Sequence, residues 1–225
     1  DVIKSFDKLT QNVDVFNLCS DAGLMLVGSH FDFLTECLQG PCKENQNFVI
    51  EETRLPLFVK RYIGIVHDMT EHERDNNIID PVCRVAMYKG LTKACRLLGA
   101  MVEGRGASQR IHLEVGEQFS STIFRRHLIS VQKCCADLKD QISKNMDVEE
   151  DLKNLMSELE VSSYDLYSVY QQIAANNQKV LDEIISYQTW VKKDISIQEY
   201  HMAYTYLKKR VCRVEFVWHN RVDII

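Results

Sequence analysis

The chain has 225 residues, a formal net charge of −5, 45% hydrophobic residues and 26% charged residues, which is typical of a folded globular protein and excludes disorder. An acidic net charge argues against a nucleic-acid-binding surface. Nine Gly and three Pro are together about 5% of the chain, against about 12% in average usage, and neither occurs after Gly116. Because an all-β domain needs a turn about every 8–12 residues, the composition predicts a mostly α protein.

Three further classes are disfavoured by simple counts. No apolar run approaches the roughly 20 residues that cross a bilayer, so we expect no membrane contact by these residues themselves. The chain begins with Asp1 and shows no targeting pattern, which suggests a piece of a longer protein. The eight Cys lie among helical patterns and predict reduced thiols. For the adjacent pair Cys134 and Cys135 we expect one buried and one exposed thiol.

Hydrophobic residues recur every three or four positions through the first half of the chain and predict a series of amphipathic helices. Gly40 and Pro41 form a helix stop, and Asp80 followed by Pro81 forms a helix start. The predicted helices cover residues 2–16, 24–39, 45–52, 56–69 and 81–102.

The second half continues the helical pattern and then changes period. Helices are predicted over residues 120–143 and over the acidic stretch 147–160, and Ser162 and Ser163 resemble the cap of a separate helix that runs through Ile184. A capping box at Ser196 and Glu199 opens another helix. From Val211 apolar and polar residues alternate, which predicts a strand to Trp218 and the start of a partner strand near Val222.

The catalytic and metal-binding patterns in the sequence are incomplete. The turn Gly104-Arg105-Gly106 lacks the third Gly of a phosphate loop and follows no strand. His72 begins a metalloprotease-like pattern without its second His. His67, Glu71 and His72 do not share one helix face, so a polar helix end is the better interpretation. We therefore expect no enzyme activity.

Other chemistry-bearing residues also have ordinary interpretations. The thiols of Cys37 and Cys42, with Cys19 and His30 upstream, match no zinc spacing and are interpreted as small core thiols. The cations of residues 208–210 suit the C-terminus of a helix. Tyr164, Tyr167 and Tyr170 repeat every three residues and are interpreted as core packing with hydroxyl groups at its edge.

One segment carries a family resemblance. Residues 34–47, Leu-Thr-Glu-Cys-Leu-Gln-Gly-Pro-Cys-Lys-Glu-Asn-Gln-Asn, resemble the signature of the RIH-associated domain that inositol trisphosphate receptors and ryanodine receptors share, and are closer to the former. Residues 97–105, 164–181 and 211–225 resemble later landmarks of that domain in the same order. The resemblance implies an armadillo-like α-solenoid segment that ends in a short β-strand or hairpin, with a helical domain at 1–145 and linker helices plus a terminal strand at 146–225.

The same resemblance implies a function. The family members are homotetrameric calcium-release channels of the endoplasmic reticulum membrane, and this domain lies on the cytosolic side and passes ligand signals to the pore. Glu36 falls at the position of one carboxylate ligand of the activating Ca²⁺ site. Gln39 falls at a position that contacts the ligands but not the ion itself. The remaining ligands come from outside these residues, so the chain alone is expected to bind Ca²⁺ weakly.

The implied partners are other domains and subunits of the same channel, and adaptor proteins. Two alternatives stay open at this point. The chain could be a stand-alone cytosolic helical scaffold or adaptor, or an enzyme that uses His67, His72 and the glycine turn.

Overall fold

In the computed structural model, the described residues are 21–39, 42–76, 81–103, 115–119, 121–144, 149–176, 202–203, 205, 215–218 and 221–224. They are mostly α-helical, which confirms the predicted fold class at that level. The helices predicted at 2–16 and from Ser196, the glycine turn at 104–106 and the cations at 208–210 lie outside the described residues. So does position 145, where the two predicted domains meet, and that boundary stays a prediction.

Four helices form the first half of the described chain. They are α1 (Asp21–Leu38), α2 (Lys43–Glu52), α3 (Leu55–Asn76) and α4 (Pro81–Val102). The bounds of α4 match the prediction because Pro81 provides a sharp start. Thr53 separates α2 from α3: its extended backbone interrupts the helix, and its hydroxyl oxygen accepts from the Leu55 N–H at 3.1 Å.

Two long helices form the second half, α5 (Ser121–Lys144) and α6 (Glu149–Asn176). The prediction that Ser162 and Ser163 begin a new helix is wrong, since α6 continues through both. Their hydroxyls donate back to the Leu159 carbonyl, at 2.7 and 3.5 Å. A serine that bonds to the preceding turn needs no helix end, although the same residue type also favours caps.

Near the end of the chain the backbone is extended. Strand β1 (Glu215–Trp218) pairs antiparallel with β2 (Arg221–Ile224), with Glu215 opposite Ile224 and Trp218 opposite Arg221. Among the described residues, no helix has both the length and the apolar character needed to cross a membrane.

Helix α4 lies in the middle of the packing, against α1, α3 and α6, while α5 packs on α3 and α6. One core cluster contains buried residues of all six helices and of residues 115–119. Its largest fully buried side chains include Tyr62, Tyr88, Tyr170 and Phe31. Tyr170 is buried with its hydroxyl donating to the Phe119 carbonyl at 3.1 Å, so its interpretation as a core residue is confirmed.

The expectation for the adjacent cysteines is wrong in one respect. Cys134 and Cys135 are both thiols, as predicted, but both are buried. Because α5 packs against α3 and also against α6, two consecutive positions of α5 can each face a neighbouring helix. Cys37 and Cys42 are also thiols, and they are half-buried instead of lying in the core.

Candidate functional site

The C-terminal end of α1 carries both predicted site residues. Glu36 lies in the last turn of the helix and its side chain is exposed; Gln39 follows the helix end and is also exposed. The Gln39 N–H donates to the Thr35 carbonyl at 2.8 Å, which continues the helical hydrogen bonding to Gln39. The structure therefore places Glu36 and Gln39 one turn apart on an accessible helix end.

This helix end is fixed by side chains of α2. The Asn45 amide donates to the Cys37 carbonyl at 2.8 Å. Buried Gln46 donates through Nε2 to the carbonyls of Ala100 and Glu103, each at 2.9 Å, with the Leu38 carbonyl at 3.4 Å. The last carbonyls of a helix lack partners within it, and here two amide side chains satisfy those of α1 and α4 together.

Asn45 and Gln46 belong to the segment that carries the family resemblance, yet their hydrogen bonds to the helix ends were not predicted from the sequence. A Gln in an otherwise polar run usually indicates a solvated position. The helical spacing contained one signal: Gln46 lies three and four residues before Val49 and Ile50, on the buried face of α2.

Glu36 has no set of metal ligands around it within the described residues, where no group of three or more His, Cys, Asp or Glu could hold a metal ion. One carboxylate cannot replace the hydration shell of Ca²⁺, which takes six to eight oxygen ligands. Any calcium site that contains Glu36 therefore needs ligands from elsewhere.

A second candidate site is a buried polar cluster where α3, α4, α5 and α6 meet. His67 of α3 faces His127 of α5, with Nε2···Nδ1 at 3.3 Å, and His127 Nε2 lies 3.2 Å from the Ser162 hydroxyl of α6. The Cys95 sulfur of α4 lies 3.9 Å from His127 Nε2 and 4.0 Å from Nδ1. All four side chains are buried.

The hydrogen bonds of this cluster have a consistent direction. Ser162 donates its hydroxyl proton to the Leu159 carbonyl, so its oxygen is the acceptor for His127 Nε2–H. His127 Nδ1 then carries a lone pair and accepts from His67 Nε2–H. Both imidazoles are neutral in this arrangement.

Burial sets the charge state of these groups. Desolvation lowers the pKa of His127 to about 3, and desolvation together with His127 and the nearby Arg126 lowers the pKa of His67 well below its usual value. Burial and the neighbouring Asp165 raise the pKa of the Cys95 thiol. Burial also raises the pKa of Asp165, against the opposing effect of Arg96.

The cluster resembles a Ser-His-His catalytic triad but differs from one in its hydrogen bonds. Ser162 donates to a carbonyl of its own helix, so in this arrangement its proton is not directed at the imidazole. Cys95 stays a thiol, which is a poor nucleophile. Its described contacts are those of a buried hydrogen-bond network between α3, α5 and α6.

The sequence prediction for His67 is wrong in its environment. His67 is not at a polar helix end but 1% exposed in the core. The side chains of Glu71 and His72 lie outside the described residues. His67 and His127 are 60 positions apart, and no spacing rule connects two residues of different helices at that separation.

A groove of about 320 Å³ lies along the contact between α1 and α4. Gly28 forms part of its floor, because the stem of Lys93 passes over it, 3.5 Å from where a Cβ would lie. Lys93 then pairs with Asp32 of α1 at 2.6 Å, and the exposed Lys89 lines the same groove. Apolar contact surface is supplied by Met25 and Val85.

Comparison with known proteins returned no matching family model, no matching curated protein and no matching solved structure.

Proposed function

We propose that this chain is an armadillo-like helical coupling domain of an intracellular calcium-release channel related to inositol trisphosphate receptors. The observation that carries the proposal is the segment 34–47, whose Asn45 and Gln46 tie together the ends of α1 and α4. That arrangement keeps Glu36 exposed on a fixed helix end. It would give a neighbouring domain a carboxylate in a constant position.

In this proposal Ca²⁺ acts by joining two domains. Glu36 supplies one oxygen ligand, and a neighbouring domain supplies the rest. Gln39 contacts the ligands and helps to orient them without binding the ion. The ion favours the domain arrangement in which these ligands converge, and it shifts gating only by its difference in affinity between the two arrangements. The proposed location is the cytosolic side of the endoplasmic reticulum membrane, in a homotetramer.

The test is calcium activation of the complete parent protein, reconstituted in bilayers and recorded as single-channel open probability. We expect Glu36→Gln to move the activation curve to higher Ca²⁺ by about tenfold or more, because a neutral amide is a weaker ligand than a carboxylate. Glu52→Gln, at an exposed site of α2, is the matched control and should leave the curve in place. An unchanged response to Glu36→Gln in a normally folded protein removes Glu36 from the site.

The chain alone provides a second measurement. With one carboxylate, we expect calorimetric titration of the 225-residue chain to give a Kd of about 1 mM or weaker, comparable to the weakest protein calcium sites. Binding in the micromolar range that survives Glu36→Gln would indicate a complete site elsewhere in the chain.

A stand-alone helical scaffold is the second candidate function. It is favoured by the exposed apolar side chains of α1, which suit contact with another protein. The two functions are separated by the coding sequence of the parent protein. About six apolar spans of roughly 20 residues after Ile225 support the channel, and a stop codon there supports the scaffold.

A further inference from the structure

The outer surface of α1 exposes more apolar area than a solvated helix face needs. Met25 is 65% exposed, Leu26 57% and Phe33 46%. Leu26 and Phe33 lie seven residues apart and thus on one face of the helix. Met25 borders the groove between α1 and α4, so the apolar surface continues into that groove.

The rim of this groove is cationic. Lys89 is exposed. Lys93, one turn further along α4, has a side chain that is 33% exposed and forms an ion pair with Asp32. A groove with an apolar floor and a positive rim fits an amphipathic helix that carries carboxylates beside a small apolar side chain.

Helix α6 of the same sequence has this character. Asp151, Asn154, Glu158 and Val161 follow at spacings of three, four and three residues, so they lie on one face, and all four are exposed. Val161 is 45% exposed. This acidic stripe, defined as Asp151, Asn154, Glu158 and Val161, is separate from the groove lining.

We propose that the groove between α1 and α4 of one copy binds the acidic stripe of α6 of a second copy. Glu158 would lie near Lys89, and Val161 would cover Met25. Because two different patches meet, each copy offers one groove and one stripe, and the contact can repeat from copy to copy. The proposed interface does not rest on the channel function, and it would apply equally if the chain were a scaffold.

The experiment is sedimentation equilibrium of the 225-residue chain across protein concentrations up to about 1 mM and at low and high salt. We expect concentration-dependent association that weakens at high salt, because the charged part of the contact is screened. A chain that stays monomeric throughout overturns the proposal.

Charge exchange identifies the two patches. Lys89→Glu alone sets two carboxylates against each other across the contact, and Glu158→Lys alone sets two ammonium groups together. Each variant should therefore associate at least about tenfold more weakly than the native chain. An equimolar mixture restores opposite charges at the contact between unlike variants and should regain association. Variants that stay weak when mixed, or that never weaken, overturn the assignment.

Two controls separate this result from misfolding. Lys139→Glu on α5 and Glu52→Lys on α2 change the same charges at exposed positions outside the groove and the stripe, and both should associate like the native chain. Circular dichroism of each variant should match the native spectrum. Association lost equally in the controls would show a general charge effect and would contradict the proposal.

Discussion

Gly90 shows how a single missing side chain sets the distance between two helices. A Cβ at this position of α4 would overlap the hydroxyl oxygen of Tyr62 from α3 and would lie 2.8 Å from its Cζ. Tyr62 is 2% exposed and also packs edge-on against Phe31, with ring centroids 5.3 Å apart. The ring therefore has no solvent to move into, and α3 and α4 can approach this closely only at a glycine.

This predicts that Gly90→Ala destabilises the fold although alanine favours helices. We expect a loss of about 1–3 kcal/mol in the free energy of unfolding, because added volume in a packed core forces neighbouring side chains out of place. Urea denaturation followed by circular dichroism measures the change.

Gly64 of α3 is the matched control for Gly90. A Cβ there meets nothing within 4 Å among the atoms around it, so Gly64→Ala should raise stability by about 0.5–1 kcal/mol through helix propensity alone. If Gly90→Ala stabilised the chain as much as Gly64→Ala, the result would contradict a tight contact between Tyr62 and Gly90.

At the scale of helices, α2 acts as a short connector between the ends of two longer helices. It has ten residues, and the side chain of Gln46 reaches carbonyls at the ends of both α1 and α4. Isolated helices of this length are marginal in water, so packing and these hydrogen bonds stabilise α2. The same contacts fix the end of α1 that carries Glu36.

We predict that Gln46→Leu loosens both helix ends. The substitution keeps an apolar stem but leaves buried carbonyls without their donor, which costs about 1–3 kcal/mol. Hydrogen exchange measured by mass spectrometry should show faster exchange in residues 34–39 and 97–103.

The neighbouring residue provides the comparison for that experiment. Asn47 is exposed on the other side of α2, so Asn47→Leu should leave exchange at both helix ends unchanged. Equal protection in Gln46→Leu and the native chain would show that Gln46 does not hold these ends.

The sequence predicts the bounds of some helices better than those of others, because the residues at helix ends differ in how specific their signal is. Helix α4 was predicted with both bounds because Asp80 and Pro81 favour a helix start and the glycine-rich segment 104–106 favours a helix end. The break at Ser162 in α6 was wrong because a serine hydroxyl can cap a helix or bond within one, and only the position of Leu159 decides between them. Local chemistry is enough for the first helix and insufficient for the second.

The candidate sites differ for the same reason. Glu36 could be located on a helix end because the helix stop, Gly40 and Pro41, follows about one turn later in the chain. The contact of His67 with His127 depends on how α3 and α5 pack, which no local pattern contains. Buried polar groups of this kind appear only once tertiary structure brings four helices together.

At the scale of the whole molecule, the polar cluster connects α3, α4, α5 and α6 and makes their packing sensitive to acid. Both histidines are neutral in the folded chain, since burial lowers the pKa of His127 to about 3 and that of His67 well below its usual value. An unfolded histidine takes up its proton near pH 6.5. Below that pH the unfolded chain binds more protons, so stability must fall as pH decreases.

The neighbouring groups modify this slope without reversing it at mildly acidic pH. The positive charge of Arg126 disfavours protonation of His67 further, and Cys95 stays a neutral thiol. Asp165 has a raised pKa, so it binds its proton more readily when folded and opposes the effect. Asp165 can take up only one proton, against one on each of the two unfolded histidines, so it weakens the slope at mildly acidic pH without reversing it.

We therefore predict that the free energy of unfolding falls by up to about 1.4 kcal/mol per pH unit for each buried histidine as pH decreases from 6.5. A proton added to His127 Nδ1 would place an N–H against the N–H of His67 at 3.3 Å. Urea unfolding at pH 7.5, 6.5, 5.5 and 4.5, in steps of about one unit around the histidine pKa, measures the slope. His127→Gln removes one of the two titrating rings and should reduce the slope by about half. His30→Gln, at a half-buried position of α1, is the matched control. A slope that both variants reduce equally, or that neither reduces, would mean that acid acts on the fold through groups other than this cluster.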